Sequence, residues 1–241
     1  MPVRHQASVT MIRHVAERLG DLRKQVVFLG GAVTGLLLTD AAAPEARFTE
    51  DVDAIVSIGS YSEYSRLEEA LRELGFQNAR DVICRWSIAG VLVDFMPTDE
   101  AILGFSNRWY SQALETATEY KFDDGLTVRL ITAPYFVATK LEAFLDPGRE
   151  GSGDYLTSRD MADIVAVIDG RQELVSEIEA SDRRVRSFLI QEFKRVLLDQ
   201  VFREALPGYL LPDTASQRRL PLLIERVEQI VKIAQEAGAG E

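Results

Sequence analysis

The sequence predicts an α+β domain followed by an all-helical one. Three observations carry this. Short apolar runs of strand character, bounded by glycine or proline, occur only before Pro134, and beyond it apolar residues recur at helical spacing. The 241 residues suffice for one large core or two small ones. The composition, 46% hydrophobic and 27% charged, is that of an ordinary globular protein. The division falls near Ala133, giving domains 1–133 and 134–241.

In order along the chain, "MPVRHQASVTMIRHVAERLG" carries charges throughout and no continuous apolar stretch, so it reads as neither a secretory signal nor a membrane span. Val9, Ile12, Val15 and Leu19 instead predict an amphipathic first helix. "QVVFLG" predicts a short buried strand that runs into Gly30 and Gly31. "AVTGLLL" comes next as a short helix, then "TDAAAPEARF" as a loop and "VDAIVSI" as a second strand. Ser60 and Glu63 form a capping box for a helix whose Tyr64, Leu67, Leu71 and Leu74 share a face. "VICRWSI" and "VLVDFMP" are β-rich runs joined by Ala89-Gly90, a hairpin. "SNRWYSQALETAT" predicts a helix and "LTVRLI" a strand. "PYFVATKLEAFL", "SRDMADIVAVID" and everything from about Arg171 predict helices, broken at "GYLLPDTASQRRLP".

The totals narrow the chemistry. One cysteine, Cys84, rules out an internal disulfide framework and every multi-cysteine metal site, and fits a reducing, cytoplasmic setting. The two histidines, His5 and His14, both lie in the first fifteen residues, which argues against a His-based triad or a zinc site. The net charge of −11 argues against broad nucleic-acid coating. From Gln172 onward there are 12 acidic and 10 basic residues, so nearly all the excess negative charge lies before that point.

Asp51 and Asp53 open the second strand. Side chains alternate along a strand, so both carboxylates face one way while Val52 and Ala54 enter the core. Like charges so close need something positive between them. A hard divalent ion such as Mg²⁺ or Mn²⁺ is the economical answer, since it takes carboxylates together with substrate phosphates and water. Asp94 interrupts the otherwise apolar "VLVDFMP", and if that strand lies beside the first pair, three carboxylates converge. Two metal ions could then clamp the attacking and leaving oxygens of a phosphoryl or nucleotidyl displacement, with Asp94 a candidate base for the acceptor proton. Gly30-Gly31, at a strand-to-helix turn, would let a phosphate approach the backbone and the helix N-terminus.

With these residues assembled, the sequence resembles the DNA polymerase β-like nucleotidyltransferases, and most closely the AbiEii-type toxins of bacterial abortive-infection and toxin–antitoxin pairs. Those share a Gly-Gly or Gly-Ser turn, an Asp-x-Asp and a third strand carboxylate, then a lysine on a following helix and an Arg-Asp pair opening the next. Here "APYFVATKLEAF" offers Lys140 and "SRDMADIV" offers Arg159-Asp160, and the likeness runs from about Val26 to Ile168. The resemblance implies a small mixed-sheet, polymerase β-like domain and a helical domain completing a nucleotide cleft. It implies transfer of NMP from an NTP such as ATP, with Asp51, Asp53 and Asp94 as metal ligands, Lys140 on the triphosphate and Asp160 a further site residue. It also implies an acceptor hydroxyl on a tRNA end, a protein or a small molecule, and a cognate antitoxin.

The chain departs from the family's pattern twice. Gly31-Ala32 replaces the usual small hydroxyl residue after the first glycine, with Thr34 a candidate substitute for the lost phosphate contact. Eighteen residues separate Ala32 from Asp51, a longer gap than the family's common spacing. These departures support a competing reading, a catalytically silent nucleotide-binding module of the same fold. Other residues have structural rivals to a functional role. Lys140 sits at the margin of the stripe Val137, Leu141 and Phe144, where a solvated tip is expected. Thr157 and Asp160 together satisfy a capping box. Met161, Ile164, Val165 and Ile168 set the buried direction of that helix, with Asp160 near its border and Asp163 nearly opposite, in solvent. Arg47 reads as a loop charge or a triphosphate contact, the Gly-rich stretch around Arg149 and Ser152 as a linker or lid, and Arg183, Arg184 and Arg186 as a solvated face.

Overall fold

The computed structural model describes residues 3–79, 82–149 and 151–237; the ends of both sequence-assigned domains and Glu150 of the Gly-rich stretch lie outside the described residues. The chain divides into two compact units, Met1–Leu36 with Arg47–Thr132, and Leu37–Ala46 with Ala133–Glu241.

The first unit is built on a mixed sheet of β1 (Val26–Leu29), β2 (Asp51–Val56), β3 (Gln77–Asn78), β4 (Arg85–Ile88), β5 (Val91–Pro97), β6 (Thr118–Lys121) and β7 (Thr127–Leu130), in the order β3-β4-β5-β2-β1-β7-β6. The pairs β2–β5 and β1–β7 are parallel and the rest antiparallel. Central strand β1, wholly apolar, is buried throughout, and β2 is buried continuously only from Ala54 to Val56, past its two aspartates. Helix α1 (Val3–Leu19) buries Ile12, Val15, Ala16 and Leu19. Helix α3 (Tyr61–Glu73) starts where Ser60 Oγ accepts from the Glu63 N–H, while the Glu63 carboxylate accepts from the Gly59 N–H. Tyr64, Leu67 and Leu71 are buried, but Leu74 falls past the last turn and is exposed. Ala89 and Gly90 both take positive φ, +48° and +84°, which joins β4 and β5 by a two-residue turn of matching twist.

Two expectations change here. The helix expected over "SNRWYSQALETAT" is helical only at α5 (Tyr110–Glu115), and from Thr118 the chain turns into edge strand β6. Most of the β6 side chains are exposed, so no apolar alternation betrays it. β3 escapes notice for the same reason, and α4 (Glu100–Leu103) is a single turn capped by Asp99.

The second unit holds α6 (Ala133–Leu145), α7 (Arg159–Gly170), α8 (Leu174–Ala180), α9 (Arg183–Leu198), α10 (Gln200–Tyr209), α11 (Thr214–Gln217) and α12 (Leu220–Ala237). Helix α7 packs against both α6 and α12, so it is covered on two sides. Its N-cap is Ser158, whose Oγ accepts from the Met161 N–H, and Thr157 instead donates to Asp154. The expected Thr157–Asp160 capping box is therefore not formed.

The segment Leu37–Ala46 belongs with these helices, although it lies between the first two strands of the other unit. The N–H groups of Thr39 and Asp40 both donate to the Gly170 carbonyl, and Arg219 binds both Asp40 and Asp169. A Cβ on Gly170 would lie 2.8 Å from Leu38 Cδ2, so only glycine lets the loop lie this close. The long gap before the Asp pair is thus an ordered, anchored segment. Among the described residues no helix is long and apolar enough to cross a membrane.

Candidate active site

Register assembles the acidic cluster. Asp53 of β2 pairs with Asp94 of parallel β5, and Asp94 pairs with Arg85 of antiparallel β4. Leu29, the last residue of β1, sits opposite Asp53 on its other side. Asp51 lies two residues before Asp53 and shares its face, while Val52 and Ala54 are fully buried.

A positive side chain already sits within this cluster. Arg85 grips Asp94 with a two-pronged fork, Nε to Oδ1 and Nη2 to Oδ2, both at 2.8 Å. The same Nη2 reaches Asp51 Oδ2 at 3.3 Å, and the Thr49 hydroxyl donates to Asp51 Oδ1 at 2.9 Å. All four carboxylate oxygens of Asp51 and Asp94 therefore accept hydrogen bonds. The bonds to Asp94 hold the Arg85 guanidinium even more firmly charged than usual, against the opposing effect of burial. An Asp94 with both oxygens so occupied is poorly placed to take a hydroxyl proton, and the arrangement does not support it as the base.

The two glycines face different neighbours. Gly30 has φ +73°, and a Cβ there would lie 1.7 Å from Asp53 Oδ2. A Cβ on Gly31 would lie 2.9 Å from Arg47 Nη2 and 3.4 Å from Thr49. The turn after β1 is thus pressed against the Asp-x-Asp strand, and only glycine at position 30 lets backbone and carboxylate meet there, while at Gly31 the Arg47 tip could move aside. The chain then makes a 3-10 turn over Gly31–Val33 and a four-residue helix, α2 (Thr34–Leu37), far short of the helix whose N-terminal field would draw a phosphate. Thr34 is fully enclosed and its hydroxyl has no hydrogen-bond partner, so it does not offer the phosphate contact expected of it.

Chemically, three hard oxygen donors from two adjacent strands suit Mg²⁺ or Mn²⁺. Their arrangement does not present them as a set. Among the described residues no three His, Cys, Asp or Glu side chains are placed to hold a metal ion, and the guanidinium fork accounts for two of the three carboxylates here.

The other expected site residues form their own cluster in the helical unit. The Lys140 amine lies 2.9 Å from Asp160 Oδ1 and 2.8 Å from Asp163 Oδ2, with Arg149 Nη1 at 3.2 Å from Asp160 Oδ2. Asp163, expected in solvent, is fully buried, and it meets the Lys140 amine of α6 there. Nor is the Lys140 tip solvated; its side chain is 11% exposed. Burial pulls the Lys140 pKa down, and Asp163 and Asp160 outweigh it, leaving the amine charged more firmly than usual.

Comparison with known proteins gives the family. Residues 16–221 match the family described as the nucleotidyl transferase AbiEii toxin of type IV toxin–antitoxin systems. This chain belongs to the AbiEii nucleotidyltransferase family. The match runs well beyond Ile168, so α8 to α11, which the sequence resemblance did not reach, are part of the family's architecture. No curated protein matches the chain. Among solved structures it is similar to JHP933 from Helicobacter pylori, at 10% identity over 99% of this chain and 97% of that one, with a TM-score of 0.51. It is also similar to an antigenic nucleotidyltransferase-like protein from Paracoccidioides brasiliensis, at 20% identity over 86% of this chain and 94% of that one, with a TM-score of 0.49. The first of these likenesses concerns the fold alone.

Sequence reasoning missed Arg85, Thr49 and Asp163. Arg85 had a readable signal, since Arg85 and Asp94 lie equally far to either side of the Ala89-Gly90 turn, and hairpin register pairs them. Thr49 lies two residues before Asp51, on the same alternating face. For Asp163 the periodicity of its own helix gives no signal, because its partner Lys140 lies on a different helix, α6.

Proposed function

We propose that this AbiEii-family chain transfers a nucleoside monophosphate from an NTP to an acceptor hydroxyl, as the toxin of a pair with a cognate antitoxin. The observation that carries the proposal is the in-register pairing of Asp53 with Asp94, with Asp51 on the same face, against a turn whose Gly30 admits no side chain. In the transfer the acceptor oxygen bonds the α-phosphorus, the bond from that phosphorus to the pyrophosphate oxygen breaks, and the hydroxyl proton leaves to solvent or a carboxylate. Asp51, Asp53 and Asp94 are the candidate ligands for Mg²⁺ or Mn²⁺, but with Arg85 bound to two of them they do not form a metal-holding set here, so no step is routed through a metal. Gly30 leaves no side chain between its backbone and the Asp53 carboxylate, and the Arg47 guanidinium lies beside Gly31, a cation at the rim of the acidic face. Lys140 and Asp160 are assigned to the ion cluster of the helical unit, whose carboxylates already satisfy the amine.

The test is incubation of the chain with each α-labelled NTP and Mg²⁺ or Mn²⁺, against total RNA, total protein and hydroxyl-rich small molecules such as aminoglycosides. Label transferred to one pool, and lost in Asp53→Asn, is the expected result. With a net charge of −11 the protein and small-molecule pools are favoured over a tRNA end. Growth arrest on expression, relieved by the product of the neighbouring gene, tests the toxin assignment. A second reading, a nucleotide-binding module without transfer, draws on the Arg85 fork across the carboxylates. Thermal stabilisation by an NTP with no label in any pool would favour it.

A further inference from the structure

Helix α9 buries Val185, Leu189, Phe193 and Val196 on one face. Every charged side chain exposed on the opposite face is positive: Arg183, Arg184, Lys194 and Arg195. The one acid of α9, Glu192, is tucked at the border, 13% exposed, where it holds Arg195 at 3.0 Å. Arg186 turns back and donates to the carbonyls of Glu179 and Ser181. Among the described residues the side chains of Arg183, Arg184 and Lys194 make no ion pair or hydrogen bond. Other helices mix their surface charges, as in the Glu63–Arg66 pair of α3 and the Glu228–Lys232 pair of α12. A face of one sign is the exception, and its sign opposes the net charge of −11.

The placement also runs against helix stability. Arg183 and Arg184 are the first two residues of α9, whose first turn holds no acid. A helix N-terminus carries partial positive charge, so cations there are unfavourable. Asp182, which accepts from the Arg184 N–H, offsets part of this. A local rule broken on an exposed face, where packing makes no demand, points to a role outside the fold. At the other end Leu198 is 76% exposed, and Val201, in the first turn of α10, is 51% exposed. Arg203 reaches back to the Leu197 carbonyl and sets a further cation at this corner.

We propose that this face of α9 docks a short acidic, amphipathic protein helix. The partner's carboxylates meet Arg183, Arg184, Lys194 and Arg195, and its apolar residues cover Leu198 and Val201. From Arg184 to Leu198 the face runs about 21 Å, which a partner of about four helical turns matches. A nucleic acid fits this face less well. No aromatic ring stands among the exposed residues of α9 to stack a base, and a sugar–phosphate backbone offers nothing apolar to Leu198. The net charge of −11 also opposes a polyanion long enough to pass beyond the helix, whereas a short segment meets the strip alone. Nothing here depends on the transfer reaction, and the test reads binding rather than turnover.

The experiment is fluorescence anisotropy of a labelled synthetic peptide of about 16 residues, rich in glutamate with leucines at one end, titrated with the full chain. The comparison probes are the same peptide with lysine for glutamate, a leucine-free version, a single-stranded RNA and an RNA hairpin. The wild type is expected to bind the acidic peptide, and less tightly as salt is raised. Arg184→Glu with Lys194→Glu is expected to weaken that binding about tenfold or more. Leu198→Ser is expected to weaken binding of the leucine-bearing peptide and to leave the leucine-free version unchanged. Arg183→Ala with Arg184→Ala is expected to leave the melting temperature unchanged or higher; a clear fall would show that the arginines serve the fold and overturn the proposal. Absence of peptide binding, equal binding of the lysine peptide, or tighter binding of either RNA overturns it. Self-association of the wild type in analytical ultracentrifugation, lost in Arg184→Glu with Lys194→Glu, assigns the face to a second copy and overturns it too. Should that variant fail to fold by circular dichroism, Arg184→Gln with Lys194→Gln carries the comparison, and wild-type affinity there overturns the proposal equally.

Discussion

Replacing Lys140 by methionine is expected to unfold the helical unit at a markedly lower temperature. The amine lies 2.8 Å from an Asp163 carboxylate that is fully buried and 2.9 Å from Asp160. Methionine fills most of the lysine stem's volume, so little of the loss comes from packing. The change leaves Asp163 buried without its ammonium, while Asp160 retains Arg149 at 3.2 Å. Removing one member of a buried ion pair costs about 3–5 kcal/mol, because the surviving charge is left uncompensated in the interior. For a chain of this size that corresponds to a fall of roughly 6–20 °C in the melting temperature. Circular dichroism at a helix-sensitive wavelength reads the transition. The paired change Lys140→Met with Asp163→Leu removes both charges and is expected to recover much of the loss, since a well-packed apolar pair can match a buried ionic one. A loss below about 1 kcal/mol in Lys140→Met, the level of an exposed ion pair, would refute this reasoning.

Three further outcomes are expected from the site geometry and the buried titratable groups. Thr34→Val removes an enclosed hydroxyl that has no partner, so it is expected to leave stability unchanged or raised by up to about 1 kcal/mol and to leave NTP binding intact; a lost nucleotide-induced thermal shift would contradict the enclosed placement. Gly30→Ala combines a left-handed φ, costing about 1–2 kcal/mol, with a Cβ that displaces the Asp53 carboxylate, so transfer should drop on the order of a hundredfold while circular dichroism stays native-like. Alkaline pH should destabilise the fold. Burial, with help from Asp94, pushes the Cys84 thiol up to about 11, and burial pushes Tyr64 and Tyr209 up to about 12. The folded state thus keeps protons that the unfolded chain releases, and stability falls as pH rises from the ordinary thiol and phenol values of 9.0 and 10.0 toward those raised ones. Urea midpoints at about pH 8 and about pH 10.5 should differ in that sense.

The sequence by itself determined the elements whose signal is local. The apolar runs of β1 and β2, the Ser60 cap, the Ala89-Gly90 turn and the helices after Ala133 are all set by neighbouring residues and their periodicity. It also placed Asp51 and Asp53 on one face, since alternation along a strand needs no partner. Tertiary structure decided what those carboxylates meet. Only strand order and register set Asp53 against Asp94 and Arg85 across Asp94, and only the approach of β2 to the turn after β1 explains why Gly30 admits no side chain. Asp163 is buried against Lys140 of the neighbouring helix α6, and Leu37–Ala46 joins the helices because its backbone finds partners at Gly170. Periodicity reports one buried direction per element, and charge pairing reports contacts between residues far apart in the chain. The first can be read along a sequence, and the second exists only once the chain has folded.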